Sequence, residues 1–182
     1  VANSIATVQK TLDGLNSEQL EKVTESALTL RDTFGIEVNE SIRATKAMMD
    51  IFGTSSDEAM NLLTQGFQNG LNYSDEFIDN INEYSVQFGK LGLSAEDMFN
   101  IFQSGADAGA WNLDKIGDAV KEFSIRAIDG SKTTIDGFTR LGMNANAMAQ
   151  KFASGGDTAK KAFYEVIDAI GAMEDPVEQS IG

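Results

Sequence analysis

SEQLEKVTESALTLRDTFGIEVNESIRATKAMMDIFG, residues 17–53, decides the fold class. Leu20, Val23, Ala27, Leu30 and Phe34 recur at steps of three and four, and after Gly35 a second set, Ile42, Thr45, Met48, Met49 and Phe52, runs to Gly53. That spacing puts each set on one face of an α-helix, whereas a half-buried strand needs alternation with period two. Glycine at the close of each set suits the left-handed residue that ends a helix. Asn16 with Gln19 resembles a capping box at the start of the first.

The same grammar extends in both directions. Upstream, Ile5, Val8 and Leu12 form a weaker stripe. Downstream come Ala59, Leu62, Leu63 and Phe67, then Phe77, Ile81, Tyr84 and Phe88, then Ala95, Met98, Phe99 and Phe102. Leu113, Ile116, Val120, Phe123 and Ala127 follow, and Ala159, Phe163, Val166, Ile170 and Met173 make the last clear stripe. Ser55 with Glu58 fits a capping box and Ser94 with Asp97 is a looser version. Gly14, Gly35, Gly53, Gly70, Gly92, Gly130, Gly142 and Gly155 mark expected helix ends, and Arg31, Lys90, Arg126, Arg140 and Lys151 each precede a glycine, as cations near helix C-termini do. The one proline, Pro176, lies after the last strong stripe.

The expected fold is all-α: a compact multi-helix array of short helices and helical hairpins joined by glycine-ended turns. With short connections and no low-complexity linker, residues 1–182 read as a single helical domain. An aromatic residue or leucine followed by glycine recurs at Phe34-Gly35, Phe52-Gly53, Leu91-Gly92 and Leu141-Gly142, but its uneven spacing argues against a strict solenoid. A start at Val1 and an end at Gly182, inside a continuing pattern, suggest a piece of a longer chain.

Composition excludes much chemistry. With no cysteine and no histidine, disulfides, thiolate sites, the usual zinc ligands, serine–histidine pairs and the commonest neutral-pH base are all missing. A formal charge of -14 repels a phosphate backbone, so direct, tight nucleic-acid binding is not expected. No apolar run approaches the roughly 18 residues that cross a bilayer, so no membrane-spanning segment is expected.

Acid pairs occur at Asp57-Glu58, Asp75-Glu76 and Glu96-Asp97. Glycosidases and hard-cation sites use carboxylates of this kind, but each pair follows a serine at an expected helix start, where negative side chains complement the macrodipole. No segment matches a calcium loop, and Gly130-Ser131-Lys132-Thr133 lacks the glycine five residues earlier, and the lysine directly after glycine, that a phosphate loop requires. That segment reads as a helix stop followed by a helix start, and so does Gly155-Gly156-Asp157-Thr158. Met48, Met60, Met98 and Met173 lie on or beside the apolar stripes, which assigns them to core filling. No catalytic, cofactor-binding or metal-binding residue is assigned, and no cofactor is expected.

The most distinctive stretch runs from Ser104 to Asp118, with Gly105 and Gly109 flanking Asp107 and leading to the lone tryptophan, Trp111. Glycines four apart can let helices approach closely; Trp111 would then plug the gap, the favoured reading, or serve as a partner-binding anchor. Gly105, Asp107, Gly109, Trp111, Asn112, Asp114 and Lys115 are the candidate packing or contact residues.

Several phrases resemble phage tail tape measure proteins: Ile81-Asn82-Glu83-Tyr84-Ser85, Phe88, Leu91-Gly92-Leu93-Ser94-Ala95-Glu96-Asp97-Met98-Phe99, Gly105 through Lys115, and Asp118 through Arg126. Thr24 through Ala27, Leu30 through Gly35, and Gly155 through Lys160 are similar to the same family, so the resemblance covers nearly the whole chain. It implies a structural segment of a long, largely helical protein that sets tail length. It also implies a place in the virion tail lumen, and in the host cytoplasm during assembly. The implied partners are tail tube, tail tip and tail assembly chaperone proteins and other tape measure segments or copies. The family sometimes carries a fused peptidoglycan hydrolase or peptidase elsewhere, but the matching phrases carry no recognised catalytic role. Short glycine-ended helices depart from one uninterrupted coiled coil. Two alternatives stay open, a muralytic enzyme using an exposed carboxylate pair and a generic helical adaptor. The charge reading predicts no retention on immobilised DNA at low salt; salt-sensitive submicromolar binding would contradict it.

Overall fold

Each apolar stripe of the sequence has become a helix. The computed structural model describes residues 2–173, so Pro176 and both chain ends lie outside the described residues. Ten α-helices, and no strand among the described residues, follow in order: α1 Ala2–Thr11, α2 Ser17–Phe34, α3 Val38–Phe52, α4 Ser56–Gln68, α5 Phe77–Lys90, α6 Ala95–Asp107, α7 Leu113–Arg126, α8 Lys132–Arg140, α9 Ala145–Ser154 and α10 Gly156–Gly171. The chain divides into two compact units. One holds the residues up to Val86 together with Ser94–Gly117; the other holds Gln87–Leu93 together with the residues from Asp118 onward.

Helix boundaries follow the local chemistry. Asn16, Ser55 and Ser94 each accept the N–H of the third helical residue while Gln19, Glu58 and Asp97 accept the cap's own N–H, giving three complete capping boxes. The Ser94–Asp97 box is therefore full rather than loose. Ser131 accepts from the Thr134 N–H and opens α8, the stop-and-start expected of Gly130-Ser131-Lys132-Thr133. Arg31, Lys90, Arg126, Arg140 and Lys151 all lie in last turns, facing the negative end of the helix dipole.

In the first unit, α1 packs on α2 and α3, these two pack on each other and on α4, and α4 also contacts α6. Ala27 is buried there, and so are Val8, Val23, Leu30, Ile42, Met48, Met60 and Leu63, each of these seven larger side chains contributing about 1.5–3 kcal/mol relative to exposure. Ile5 of the weak first stripe is exposed. A line of rings crosses the unit, Phe34 stacking on Phe67 at 5.2 Å and edge contacts joining Phe67 to Phe77 at 5.1 Å and Phe77 to Phe99 at 5.5 Å. Thr45, polar yet on the α3 stripe, is buried with its hydroxyl donating to the Ser41 carbonyl at 2.8 Å, which offsets the cost of desolvation.

In the second unit α8 packs on α9 and α9 on α10. Phe123 of α7 meets Phe152 at 5.2 Å and Phe163 at 5.5 Å, both edge-on, and Phe138 stacks on Phe152 at 6.4 Å. Helices α8 and α9 had start signals but no readable stripe, because they span only 9 and 10 residues and bury Phe138 in one and Met148 and Phe152 in the other. Lys151 and Glu165 form a 2.7 Å ion pair between α9 and α10, exposed and therefore worth little.

Gly92 has a second role beyond its left-handed φ of +72°. A Cβ there would overlap the Gly156 carbonyl, so the Leu91-Gly92-Leu93 turn and the Gly155-Gly156 junction, both parts of the family-like phrases, meet backbone to backbone. Gly109, at φ +93°, has no atom within 4 Å of the position a Cβ would take. Gly92→Ala should therefore destabilise by ~3 kcal/mol, backbone strain plus overpacking, and Gly109→Ala by ~1 kcal/mol from φ alone. Urea melts of the two variants check the difference, and equal losses would remove the close contact from the account.

Candidate functional site

Residues 105–115 form a corner of the first unit, from the end of α6 to the first turn of α7. Two reciprocal bonds close α6: the Gly109 N–H donates to the Ala106 carbonyl at 2.9 Å and the Ala110 N–H to the Gly105 carbonyl at 3.0 Å. This is the paired arrangement that ends helices on a left-handed residue. Asn112 then caps α7, its side-chain oxygen accepting the Lys115 N–H at 3.1 Å. Asp107 accepts from the Gln103 amide at 2.9 Å, one turn back on the exposed side of α6.

Two tyrosines from earlier in the chain brace this corner. Tyr73, in the turn before α5, donates its hydroxyl to the Ala110 carbonyl at 2.8 Å. Burial first, and the Glu76 carboxylate second, push the Tyr73 phenol above its ordinary pKa. Tyr84 of α5 is 1% exposed and donates to an Asp114 carboxylate oxygen at 2.8 Å. Its ring lies on α7 where Gly117 carries no side chain; a Cβ there would overlap the ring carbons. Gly105 serves α6 in the same way, since a Cβ would stand 2.5 Å from Ile116 Cδ1.

The seven candidate residues thus share one corner but not one role. Gly105 admits a neighbouring side chain, whereas Gly109 turns the chain and packs against nothing. Asp114 and Asn112 fix the start of α7, and Lys115 is exposed. Trp111 is 74% exposed, which overturns its assignment to core or corner packing. Ile116 already occupies the space next to Gly105, and Trp111 stands on the outward side of the tight 108–112 connection. Trp111 is thus a large ring left in water beside a segment held by Tyr73, Asn112 and the α6 terminus.

The acid pairs serve the helix starts, with one correction. Glu58 accepts from the Ser55 N–H at 2.8 Å and the Ser55 hydroxyl at 2.9 Å, and these bonds hold its carboxyl below the usual range. A general acid needs the opposite shift. Asp97 repeats the bonds with Ser94. Asp75-Glu76, however, precedes α5 rather than lying in its first turn: Asp75 has φ +58°, and the Asn72 side chain accepts the Phe77 N–H at 3.3 Å. The helix begins later than Ser74 suggested because Asn72 supplies the acceptor. Among the described residues no group of three or more acids, histidines or cysteines is placed to hold a metal ion, and no helix is long and apolar enough to cross a membrane.

A family model described as phage-related minor tail protein matches residues 1–182, the full length of the chain. A protein of Streptomyces phage phiC31 named "Probable tape measure protein" is 36% identical over 77 residues, 42% of this chain and 10% of that protein. The chain is thus similar to about a tenth of that relative's length. No solved structure matches.

The geometry separates support from display. Tyr84→Phe should lower stability by ~1.5–3 kcal/mol, the range for a hydrogen bond to a charged group. Trp111→Ala should change it by less than ~0.5 kcal/mol. Thermal unfolding followed by circular dichroism measures both, and a large loss at Trp111 would return that ring to the core.

Proposed function

The chain belongs to the phage-related minor tail protein family, and from that premise we propose that it is a structural segment of a tail tape measure protein, contributing to tail assembly and tail-length determination. The observation that carries this reading is the family match over all 182 residues, narrowed by the 36% identity to a probable tape measure protein of phage phiC31. The physical character of the chain is consistent with it. Short capped helices, an acidic exterior and carboxylates occupied in capping describe a body that works by shape and contact.

In this reading the segment lies in the tail lumen of the virion and, during assembly, in the host cytoplasm. Its partners there are tail tube, tail tip and tail assembly chaperone proteins, and other tape measure segments or copies. The charge of -14 reduces adhesion to a genome passing the same lumen, because like charges repel and no counterions are released. Helices that fold back on one another span far less than a continuous helix, which would extend ~1.5 Å per residue.

Electron microscopy of virions carrying an in-frame deletion of residues 1–182 from the parent reading frame tests the proposal. The expected result is defective assembly or tails of altered, uniform length. Normal tails of unchanged length and full infectivity would refute it. A cell-wall clearing assay on the purified chain is expected to be negative, and clearing abolished by one carboxylate-to-amide change would replace the structural reading with an enzymatic one.

A further inference from the structure

Helices α4 and α6 of the first unit line one continuous groove, two adjoining hollows of about 370 and 120 Å³ that share Leu62, Gln65 and Glu96 in their walls. The larger alone reaches the ~300 Å³ at which ligand clefts begin. Carboxamides face it from both sides, Asn61, Gln65 and Asn69 from α4 and its cap, Asn100 and Gln103 from α6. The side chains of Asn61, Gln65, Asn69 and Asn100 have no hydrogen-bond partner among the described residues. Gln103 is already oriented, because its Nε2 donates to Asp107 at 2.9 Å and leaves Oε1 buried and unpartnered among the described residues. Thr54 Oγ1, in the wall of the larger hollow, is left in the same way. We propose that this groove binds an extended segment of another polypeptide that carries lysine or arginine, its main chain bonded by the carboxamides and its cations set against the acids around them.

Chemistry, spacing and charge all point to this occupant. A carboxamide both donates and accepts, so a row of them suits a main chain that offers N–H and C=O groups in turn. Asn61, Gln65 and Asn69 follow one another at four residues, ~6 Å along a helix axis, close to the ~6.6–6.8 Å between every second residue of an extended chain. Leu62, Leu71 and Phe99 add apolar surface for alternate side chains of such a segment. Residues 54–69 and 94–107, which supply every wall residue except Leu71, carry Asp57, Glu58, Glu96, Asp97 and Asp107 and no lysine or arginine. Lys22 reaches Asp57 at 3.8 Å but lines neither hollow, and the surplus stays negative with Lys22 counted. Cationic side chains are therefore attracted here, whereas a nucleic acid is repelled. The groove offers a glycan no open aromatic face, since Phe99 is 6% exposed. Binding of this kind does not depend on the tape measure reading.

Two-dimensional NMR of the 15N-labelled 182-residue chain, titrated with an acetylated and amidated decapeptide of five Lys-Val repeats, is the test, because side-chain NH2 groups report on the named residues directly. Saturable shifts are expected at the amides of Asn61, Gln65, Asn69 and Asn100, with a dissociation constant below about 1 mM. Asn61→Ala combined with Asn100→Ala, both at exposed positions, should weaken binding at least about tenfold. Glu96→Gln should weaken it more than Glu21→Gln, which removes the same charge at an exposed position of α2 outside the groove. Methylating the valine nitrogens of the peptide removes the N–H groups along one edge and keeps its charge, and that peptide should also bind at least about tenfold more weakly. Chitotetraose should leave the amides unshifted. Circular dichroism confirms that the variants are folded. No binding at millimolar peptide, shifts scattered over the acidic surface, or shifts from chitotetraose instead of the peptide would each overturn the proposal. So would undiminished binding by the methylated peptide or by the folded double variant, or equal losses at Glu96→Gln and Glu21→Gln.

Discussion

Glycine inside a helix admits the side chain of a neighbour, and the first unit depends on this. Phe77 lies over Gly66 of α4, Tyr84 over Gly117 of α7 and Ile116 beside Gly105 of α6; at all three a Cβ would collide with the side chain already there. Each glycine costs its helix about 1 kcal/mol against alanine, a penalty offset by burying a large side chain against bare backbone. Phe77 is also the middle of the ring line from Phe34 to Phe99, so its depth sets where the neighbouring rings can meet. Tyr84 converts the same closeness into direction, because its hydroxyl reaches Asp114 one turn from Gly117 and fixes the approach of α7.

The 105–115 corner inherits its rigidity from these contacts. Gly105 and Gly117 flank it, Tyr73 and Tyr84 tie it to the preceding elements, and the exposed Trp111 follows a helix end whose Gly109 and Ala110 N–H groups are already bonded. Preorganisation of this kind reduces the entropy lost when a partner is bound.

Legibility in the sequence followed the physics of each feature. The stripes, the three capping boxes and the eight glycine stops were readable because each depends on residues within one or two turns, and all eight glycines have positive φ. Trp111 was misread as a packing residue because periodicity says nothing about which way a five-residue connection faces. The Asp75-Glu76 turn was misplaced because Asn72, five residues before the first helical N–H it caps, competes with Ser74. Gly66 and Gly117 were passed over, although each sits inside an apolar stripe where only packing justifies it. The cuts between Val86 and Gln87 and between Gly117 and Asp118 fall within α5 and α7, and the third, between Leu93 and Ser94, falls in the short turn after α5, so no long linker announces them.

The stability of Gly117→Ala tests the close-approach account most directly, because two effects oppose each other there. Helix propensity alone would make this change stabilising by about 1 kcal/mol. The Tyr84 ring occupies the space the methyl needs, and overpacking costs ~1–3 kcal/mol, beyond whatever is lost at the Asp114 bond when the ring shifts. Equilibrium urea denaturation should show net destabilisation. A midpoint equal to or above that of the wild type would contradict the packing on which the corner and its tryptophan depend.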